Sequence, residues 1–80
     1  MTIYEILKIV TEIFQDIMDR ESLSLSRDMT PDDLEEWDSL ATINIIIAIE
    51  KEFNIKFGLS EIKPFENVGE ILDLIEAKMA

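Results

Sequence analysis

The sequence contains neither cysteine nor histidine, and each absence excludes a class of chemistry. Without cysteine the chain has no disulfide, no thiolate metal site and no thiol redox activity, and it suits a reducing compartment. Without histidine it lacks a Ser-His triad, a histidine general base and a histidine-ligated zinc site. We therefore predict a non-catalytic protein without a metal site, in which any reaction at a serine is performed by another protein.

Basic residues are also few: seven Lys and Arg stand against 18 Asp and Glu, for a net charge of −11. Residues 1–38 hold 11 acids and three bases, whereas residues 39–80 hold seven acids and four bases. Such a field repels nucleic acid and anionic membranes and favours basic partners. The longest apolar run, residues 45–49, is far shorter than the roughly 20 residues that span a membrane, and the first residues lack the basic start of a signal peptide. We expect a cytoplasmic monomer that binds no nucleic acid and does not insert into a membrane.

Apolar residues recur at helical spacing in three segments, which predicts an all-α bundle in one domain, residues 1–80. β-Branched residues at 43–49 would also suit a strand, but the length and flanks of their segment favour a helix. Apolar side chains point in nearly every direction around this second helix, which indicates a buried central helix, a partner-docking face, or both. The predicted elements are a first helix from Thr2 to near Asp19 or Arg20, a helical turn at Thr30 to Asp33, a second helix from Asp38 or Ser39 to about Phe53, a short helical turn from Ser60 to Lys63, and a last helix capped by Asn67.

In the long loop (residues 21–38) the apolar residues show no sustained helical or strand periodicity, and the loop is long for a connection in a compact domain. From residue 28 onward it carries six acids and no base. A calcium loop needs glycine at its sixth position and glutamate at its twelfth, but counting from Asp28 these positions hold Asp33 and Ser39. Calcium binding is therefore rejected, and the loop is either a solvated connector or a functional segment.

Ser39 lies where this loop meets the second helix, within the run E-W-D-S-L of residues 36–40. On the first turn of a helix its hydroxyl is expected to be exposed. Unpaired backbone N–H groups and the positive end of the helix dipole favour a phosphate at such a position. A phosphodiester on Ser39 would be stabilised there despite the acidic surroundings.

Asp38-Ser39-Leu40 resembles the D-S-L motif of acyl carrier proteins, and the resemblance covers nearly all 80 residues. It includes the helix order, the long loop, the motif at the start of the second helix and the sequence E-K-E-F at its end. The tripeptide alone is a weak signal, whereas the tripeptide with its position, chain length and charge is a strong one. The resemblance implies an acyl-carrier-like four-helix bundle with three long helices and one short helix.

The same resemblance implies a discrete carrier that holds acyl or aminoacyl groups as thioesters on a 4′-phosphopantetheine arm attached to Ser39. It implies a phosphopantetheinyl transferase as one partner, and acyl or aminoacyl ligases, transferases or synthases as others. Asp38 is then expected to help position metal-bound coenzyme A in the transferase complex and also to cap the helix. Leu40 is expected to pack beside the arm and to contact partner enzymes.

Departures from fatty-acid carriers narrow the expected role. Those carriers have acids along the second and third helices, and a small residue where this chain has Trp37. With tryptophan at this position, the chain resembles discrete carriers of specialised pathways. We therefore expect a role in such a pathway rather than in housekeeping fatty-acid synthesis. We predict that partners contact the apolar face of the second helix, with the acids of residues 32–36 adding charge. The predicted partner-binding residues are Glu36, Trp37, Leu40, Ala41, Ile47 and Glu50. At the positions where fatty-acid carriers usually have acids, only Glu50 and Glu61 are acidic here. The positions that lack the usual acid are Ala41, Asn44, Lys51, Leu59, Ser60 and Lys63.

Two alternatives stay open at this point. A D-alanyl or peptidyl carrier would share the same serine and arm but load an aminoacyl group. An unmodified acidic helical interaction module would explain the exposed isoleucines of the second helix and leave Ser39 as a simple cap.

Overall fold

Three α-helices and two short 3-10 turns make up the computed structural model, which describes residues 2–62 and 65–79. Within those residues there is no strand, which confirms the all-α prediction. The expected short helix is present only as a three-residue 3-10 turn, and its predicted end at Lys63 and Pro64 lies outside the described residues. In chain order the elements are α1 (Ile3–Ile17), a 3-10 turn (Pro31–Asp33), α2 (Ser39–Phe53), a second 3-10 turn (Leu59–Glu61) and α3 (Val68–Met79).

Helix α1 begins with the predicted capping box. The Thr2 hydroxyl accepts from the Glu5 N–H at 3.3 Å, and the Thr2 N–H donates to the Glu5 carboxylate at 2.9 Å. The Thr2 backbone N–H, followed by the Thr2 side chain, holds the pKa of the Glu5 carboxyl below its ordinary value. The helix ends at Ile17, slightly before the predicted end, because Asp19 adopts a left-handed backbone with φ of 53° and stops the helical bonding.

The core lies between the three helices, with α1 packed against both α2 and α3. Helix α2 has two apolar faces, as the sequence indicates. One face is buried and includes Ile45, Ile46 and Ile49, while Leu40 and Ile47 remain exposed on another. The helix is therefore both a core element and the bearer of an apolar surface. The fully buried large side chains are Phe14, Ile6, Ile45, Ile49, Ile71, Leu72, Ile75, Val10 and Val68.

The first half of the long loop is anchored to the rest of the molecule at several points. Leu23 is buried in the core, and Leu25 is partly buried against the same core. Further along, the carbonyl oxygens of Met29 and Arg27 accept from the Val68 N–H at 2.9 Å and the Gly69 N–H at 2.8 Å. The loop thus caps the start of α3. A Cβ on Gly69 would lie 3.1 Å from the Arg27 carbonyl oxygen, so glycine permits this close approach.

The connection from α2 to α3 is held by Glu61. One oxygen of its carboxylate accepts from the Lys78 ammonium at 2.8 Å and from the Gly58 N–H at 2.7 Å. The Lys78 ammonium also lies 5.6 Å from the centre of the Phe57 ring. This cluster fixes the second 3-10 turn against the end of α3.

Acid is expected to weaken this cluster. The Lys78 ammonium, followed by the Gly58 N–H, holds the pKa of Glu61 below its ordinary value of 4.5. Because the folded pKa is the lower one, the stabilisation is fully present above pH 4.5 and is lost as the pH falls through the folded pKa. We expect the midpoint of thermal unfolding to fall less between about pH 6 and about pH 3 in Glu61→Gln than in the unsubstituted protein. Circular dichroism melts measure this, with Glu76→Gln, at an exposed position of α3, as the control. Equal acid sensitivity of the two variants would contradict the assignment.

None of the helices in residues 2–62 and 65–79 combines the length and the apolar character needed to cross a membrane.

Candidate functional site

Ser39 is the first residue of α2, and its side chain is exposed. The residue before it, Asp38, is the N-cap: its Oδ1 accepts from the Ala41 N–H at 2.8 Å. Its backbone carbonyl accepts from the Thr42 N–H at 3.0 Å. This confirms the predicted cap and leaves the serine between two fixed points of the chain.

The first turn of α2 remains open to an external anion. Among the described residues, no hydrogen bond is formed by the N–H of Ser39 or of Leu40. The start of α3 differs, because its first three N–H groups are satisfied. Loop carbonyls accept from those of Val68 and Gly69, and the Asn67 side chain accepts from that of Glu70 at 2.8 Å. Free N–H groups at a helix start attract phosphate. Of these two helix starts, only that of α2 is free to receive one.

Trp37 supports the site from inside. Its side chain is 4% exposed and meets the ring of Phe14 edge-on, with 5.1 Å between the ring centres. The indole Nε1–H donates to the Thr42 hydroxyl at 3.0 Å, and that hydroxyl donates to the Asp38 carbonyl oxygen at 3.1 Å. The loop-to-helix junction is therefore tied to the core.

An open cleft of about 390 Å³ lies beside Ser39. Ser39 and Asp38 are among its lining residues, and most of the remaining lining is apolar. A flexible arm attached to Ser39 therefore has a non-polar surface next to its point of attachment. The other lining residues are Pro31, Trp37, Thr42, Ile43, Ile46, Ile62 and Phe65.

Several acids around the site are engaged within the fold. Glu36 pairs with Arg20 at 3.4 Å, and the Asp33 carboxylate accepts from the Thr30 N–H at 2.8 Å. The Glu50 carboxylate accepts from the Phe57 N–H at 3.0 Å. Carboxylates that cap turns and pair with bases are less available to a basic partner than the sequence indicates.

The structure corrects part of the predicted docking surface. Trp37 and Ala41 are 4% and 7% exposed, so they belong to the core and offer almost no surface to a partner. Glu50 is half-buried and serves the α2–α3 connection. Leu40, which is 66% exposed, and Ile47, which is 45% exposed, do lie on the surface. Glu36 is exposed too.

Six residues that line the cleft are absent from the sequence-based prediction of the site: Pro31, Thr42, Ile43, Ile46, Ile62 and Phe65. Ile43 follows Ser39 by four residues, so helical periodicity places it on the same face and could have identified it. The Thr42 hydroxyl accepts a hydrogen bond from the Trp37 indole, which precedes the start of α2. No recurrent spacing in the sequence predicts such a pair. Ile62 comes to the cleft through the tertiary fold, which local pattern does not reveal.

Comparison with known proteins identifies the class of protein. Residues 8–75 match the family described as "Phosphopantetheine attachment site". The chain belongs to this family and is a carrier domain.

A solved structure gives the closer relation. The fold is similar to the solution NMR structure of a holo acyl carrier protein from Geobacter metallireducens, with a TM-score of 0.82 and 37% sequence identity over 91% of this chain and 84% of that chain. A comparison with curated protein sequences found no match. The chain is thus a non-catalytic carrier of the acyl carrier protein family, with covalently attached 4′-phosphopantetheine as its prosthetic group. Members of this family work with a phosphopantetheinyl transferase and with enzymes that handle acyl groups.

Proposed function

We propose that Ser39 is the residue that carries 4′-phosphopantetheine, and that the chain passes acyl groups between the enzymes of a specialised pathway in the cytoplasm. The observation that carries the proposal is the exposed Ser39 hydroxyl on a helix start with two free N–H groups. The prosthetic group supplies a terminal thiol, which holds the acyl group as a thioester. The chain itself supplies the anchor and the surface that partner enzymes bind.

The attachment reaction fits the residues at Ser39. In the transferase complex, Ser39 Oγ forms a bond to the phosphorus of coenzyme A that bears the pantetheine arm. The bond from that phosphorus to the bridging oxygen breaks, and 3′,5′-adenosine bisphosphate leaves with the electron pair. A base of the transferase takes the serine proton. The phosphodiester that results carries a negative charge, which the N–H groups of Ser39 and Leu40 stabilise.

Asp38 has two roles in this proposal. Its Oδ1 caps α2 through the Ala41 N–H, and its exposed carboxylate faces solvent beside Ser39. A carboxylate in this position is a suitable ligand for the divalent metal that accompanies coenzyme A in the transferase. Both roles use the same side chain without a change in the fold.

The surface around Ser39 favours partners that bind by apolar contact. Leu40 and Ile47 are exposed on α2, and Leu59, at 92% exposure, is on the 3-10 turn that follows α2 in the chain. The two acids that remain at the usual positions, Glu50 and Glu61, hold the Phe57 N–H and the Lys78 ammonium. A fatty-acid synthase enzyme that recognises carriers through a basic patch would find few free carboxylates here. This supports a specialised pathway over housekeeping fatty-acid synthesis.

Mass spectrometry tests the proposal. Incubation with coenzyme A and a promiscuous phosphopantetheinyl transferase should add the mass of one phosphopantetheine group. Intact-protein mass spectrometry of the material isolated from its native host then identifies the cargo. An acyl mass supports the proposed role, and an aminoacyl mass would assign the chain to the D-alanyl or peptidyl carriers instead. A chain that the transferase leaves unmodified would be an acidic interaction module.

Substitution of Ile47 tests the apolar docking surface. A carboxylate in the middle of an apolar contact is desolvated without a partner, which weakens binding. We expect Ile47→Asp to raise the KM of a phosphopantetheinyl transferase for the carrier roughly tenfold while kcat changes little. The initial rate of mass increase at several carrier concentrations measures both constants.

The matched control is Tyr4→Asp, which places the same charge at an exposed apolar position of α1. It should leave both constants unchanged. If Ile47→Asp unfolds the protein, or if its KM equals that of the control, Ile47 is not part of the docking surface.

A further inference from the structure

Thr42 forms several of the hydrogen bonds around Ser39, although it is not next to the serine in sequence. Its hydroxyl accepts from the Trp37 indole at 3.0 Å and donates to the Asp38 carbonyl oxygen at 3.1 Å. Its backbone N–H donates to that same carbonyl at 3.0 Å. One residue thereby connects the two residues before Ser39 to the helix after it.

The effect of these bonds is to fix the backbone on both sides of Ser39 while leaving its side chain free. Trp37 is held in the core by Phe14, and its backbone N–H donates to the Leu34 carbonyl oxygen at 3.1 Å. None of the side-chain hydrogen bonds at this junction involves the Ser39 hydroxyl among the described residues. The hydroxyl is therefore free to react, and the turn that bears it is anchored to the core through Thr42.

We propose that Thr42 is a positioning residue for the attachment reaction: its hydroxyl, held between the Trp37 indole and the Asp38 carbonyl, fixes the turn that presents Ser39 Oγ to the transferase. The inference rests on the proposed attachment at Ser39. Transfer of a phosphoryl group needs the attacking oxygen in line with the leaving group, so small displacements of the nucleophile are costly. Thr42 acts through the turn and does not itself touch coenzyme A.

Substitution at Thr42 provides the kinetic test. Thr42→Val keeps the shape of the side chain but removes the hydroxyl, and Thr42→Ser keeps the hydroxyl. We expect Thr42→Val to lower kcat for phosphopantetheine transfer roughly five- to tenfold. KM should stay unchanged, because the exposed side chains of Leu40 and Ile47 are not altered. Thr42→Ser should restore kcat close to the original value.

Thr11→Val is the matched control. The Thr11 hydroxyl donates to the Leu7 carbonyl oxygen at 2.7 Å, the same bond to the fourth preceding residue that Thr42 makes within its helix. It lies on α1 and has no bond to Trp37. This variant loses one hydroxyl from a helix but leaves the junction intact, so its kcat should equal that of the unsubstituted protein.

A second measurement does not depend on the transferase. The chain has one tryptophan, so its proton NMR spectrum contains a single indole N–H resonance. Exchange of this proton with solvent should be slow in the unsubstituted protein and in Thr42→Ser, and clearly faster in Thr42→Val. Circular dichroism melts establish that each variant is folded at the temperature of the assay.

The outcomes separate this inference from the proposed function. If the unsubstituted chain is not modified, the attachment at Ser39 fails and the role of Thr42 fails with it. If that chain is modified but Thr42→Val shows the same kcat, only the role of Thr42 is overturned. An equal loss of kcat in Thr11→Val, or no recovery in Thr42→Ser, overturns it as well.

Discussion

Replacement of Ser39 by alanine is expected to abolish modification completely, so that the mass of the variant stays unchanged after incubation with coenzyme A and a transferase. The reason is chemical: the oxygen that forms the phosphodiester is absent, and no neighbouring group replaces it. Asp38 carries the nearest oxygen nucleophile in sequence, but its Oδ1 is bound by the Ala41 N–H. Alanine also tolerates the first turn of a helix, so the fold should persist.

Ser60→Ala is the matched control for this experiment. Ser60 is exposed on the 3-10 turn between α2 and α3, so it offers a hydroxyl on the same molecule that is not at the start of an α-helix. This variant should gain one phosphopantetheine group at the original rate. Modification of Ser39→Ala, or loss of modification in Ser60→Ala, would place the attachment elsewhere.

Replacement of Ile49 by alanine is expected to give the largest loss of stability. Ile49 has 0% exposure, lies in the second half of α2 and belongs to the core formed by buried side chains of all three helices. Truncation of a buried isoleucine to alanine costs about 2–5 kcal/mol, depending on how far the cavity collapses. A domain of 80 residues has a free energy of unfolding of roughly 4–12 kcal/mol. Urea denaturation should therefore show a midpoint that is lowered by a large fraction, or a chain that is partly unfolded without urea.

The control is Ile47→Ala, two residues away on the same helix. It makes the same chemical change at a position that is 45% exposed, and its cost should be about 1 kcal/mol or less. Equal losses for the two variants would mean that α2 does not divide into a core face and a docking face.

The helices could be predicted from the sequence because their signals are local. The capping pair Thr2 and Glu5, the cap Asp38 and the cap Asn67 each satisfy backbone groups within three residues. The exposed position of Ser39 follows from the same local argument, because a residue just after an N-cap lies on the first helical turn.

The directions of side chains around the site could not be predicted in the same way. Trp37 and Ala41 flank the D-S-L motif and were expected on the docking surface, yet the tertiary fold turns both inward. For Trp37 the deciding contact is with Phe14, 23 positions earlier in the chain. Local spacing contains no information about such a contact.

The same limit applies to charge. The run of acids in the long loop indicates an acidic surface, but the sequence does not reveal that Glu36 pairs with Arg20. Nor does it reveal that Glu50 holds the Phe57 N–H. Both contacts depend on how distant segments meet.

Two hydrogen bonds link the long loop that leads to Ser39 with the start of α3. In them the Val68 N–H donates to the Met29 carbonyl oxygen and the Gly69 N–H donates to the Arg27 carbonyl oxygen. Amides at a helix start ordinarily exchange rapidly with deuterium, whereas these two are shielded as long as the loop stays in place. An enzyme that displaces this loop in order to reach the arm would expose them. Deuterium uptake at residues 68 and 69 would then report on engagement of a serine that lies on a different helix.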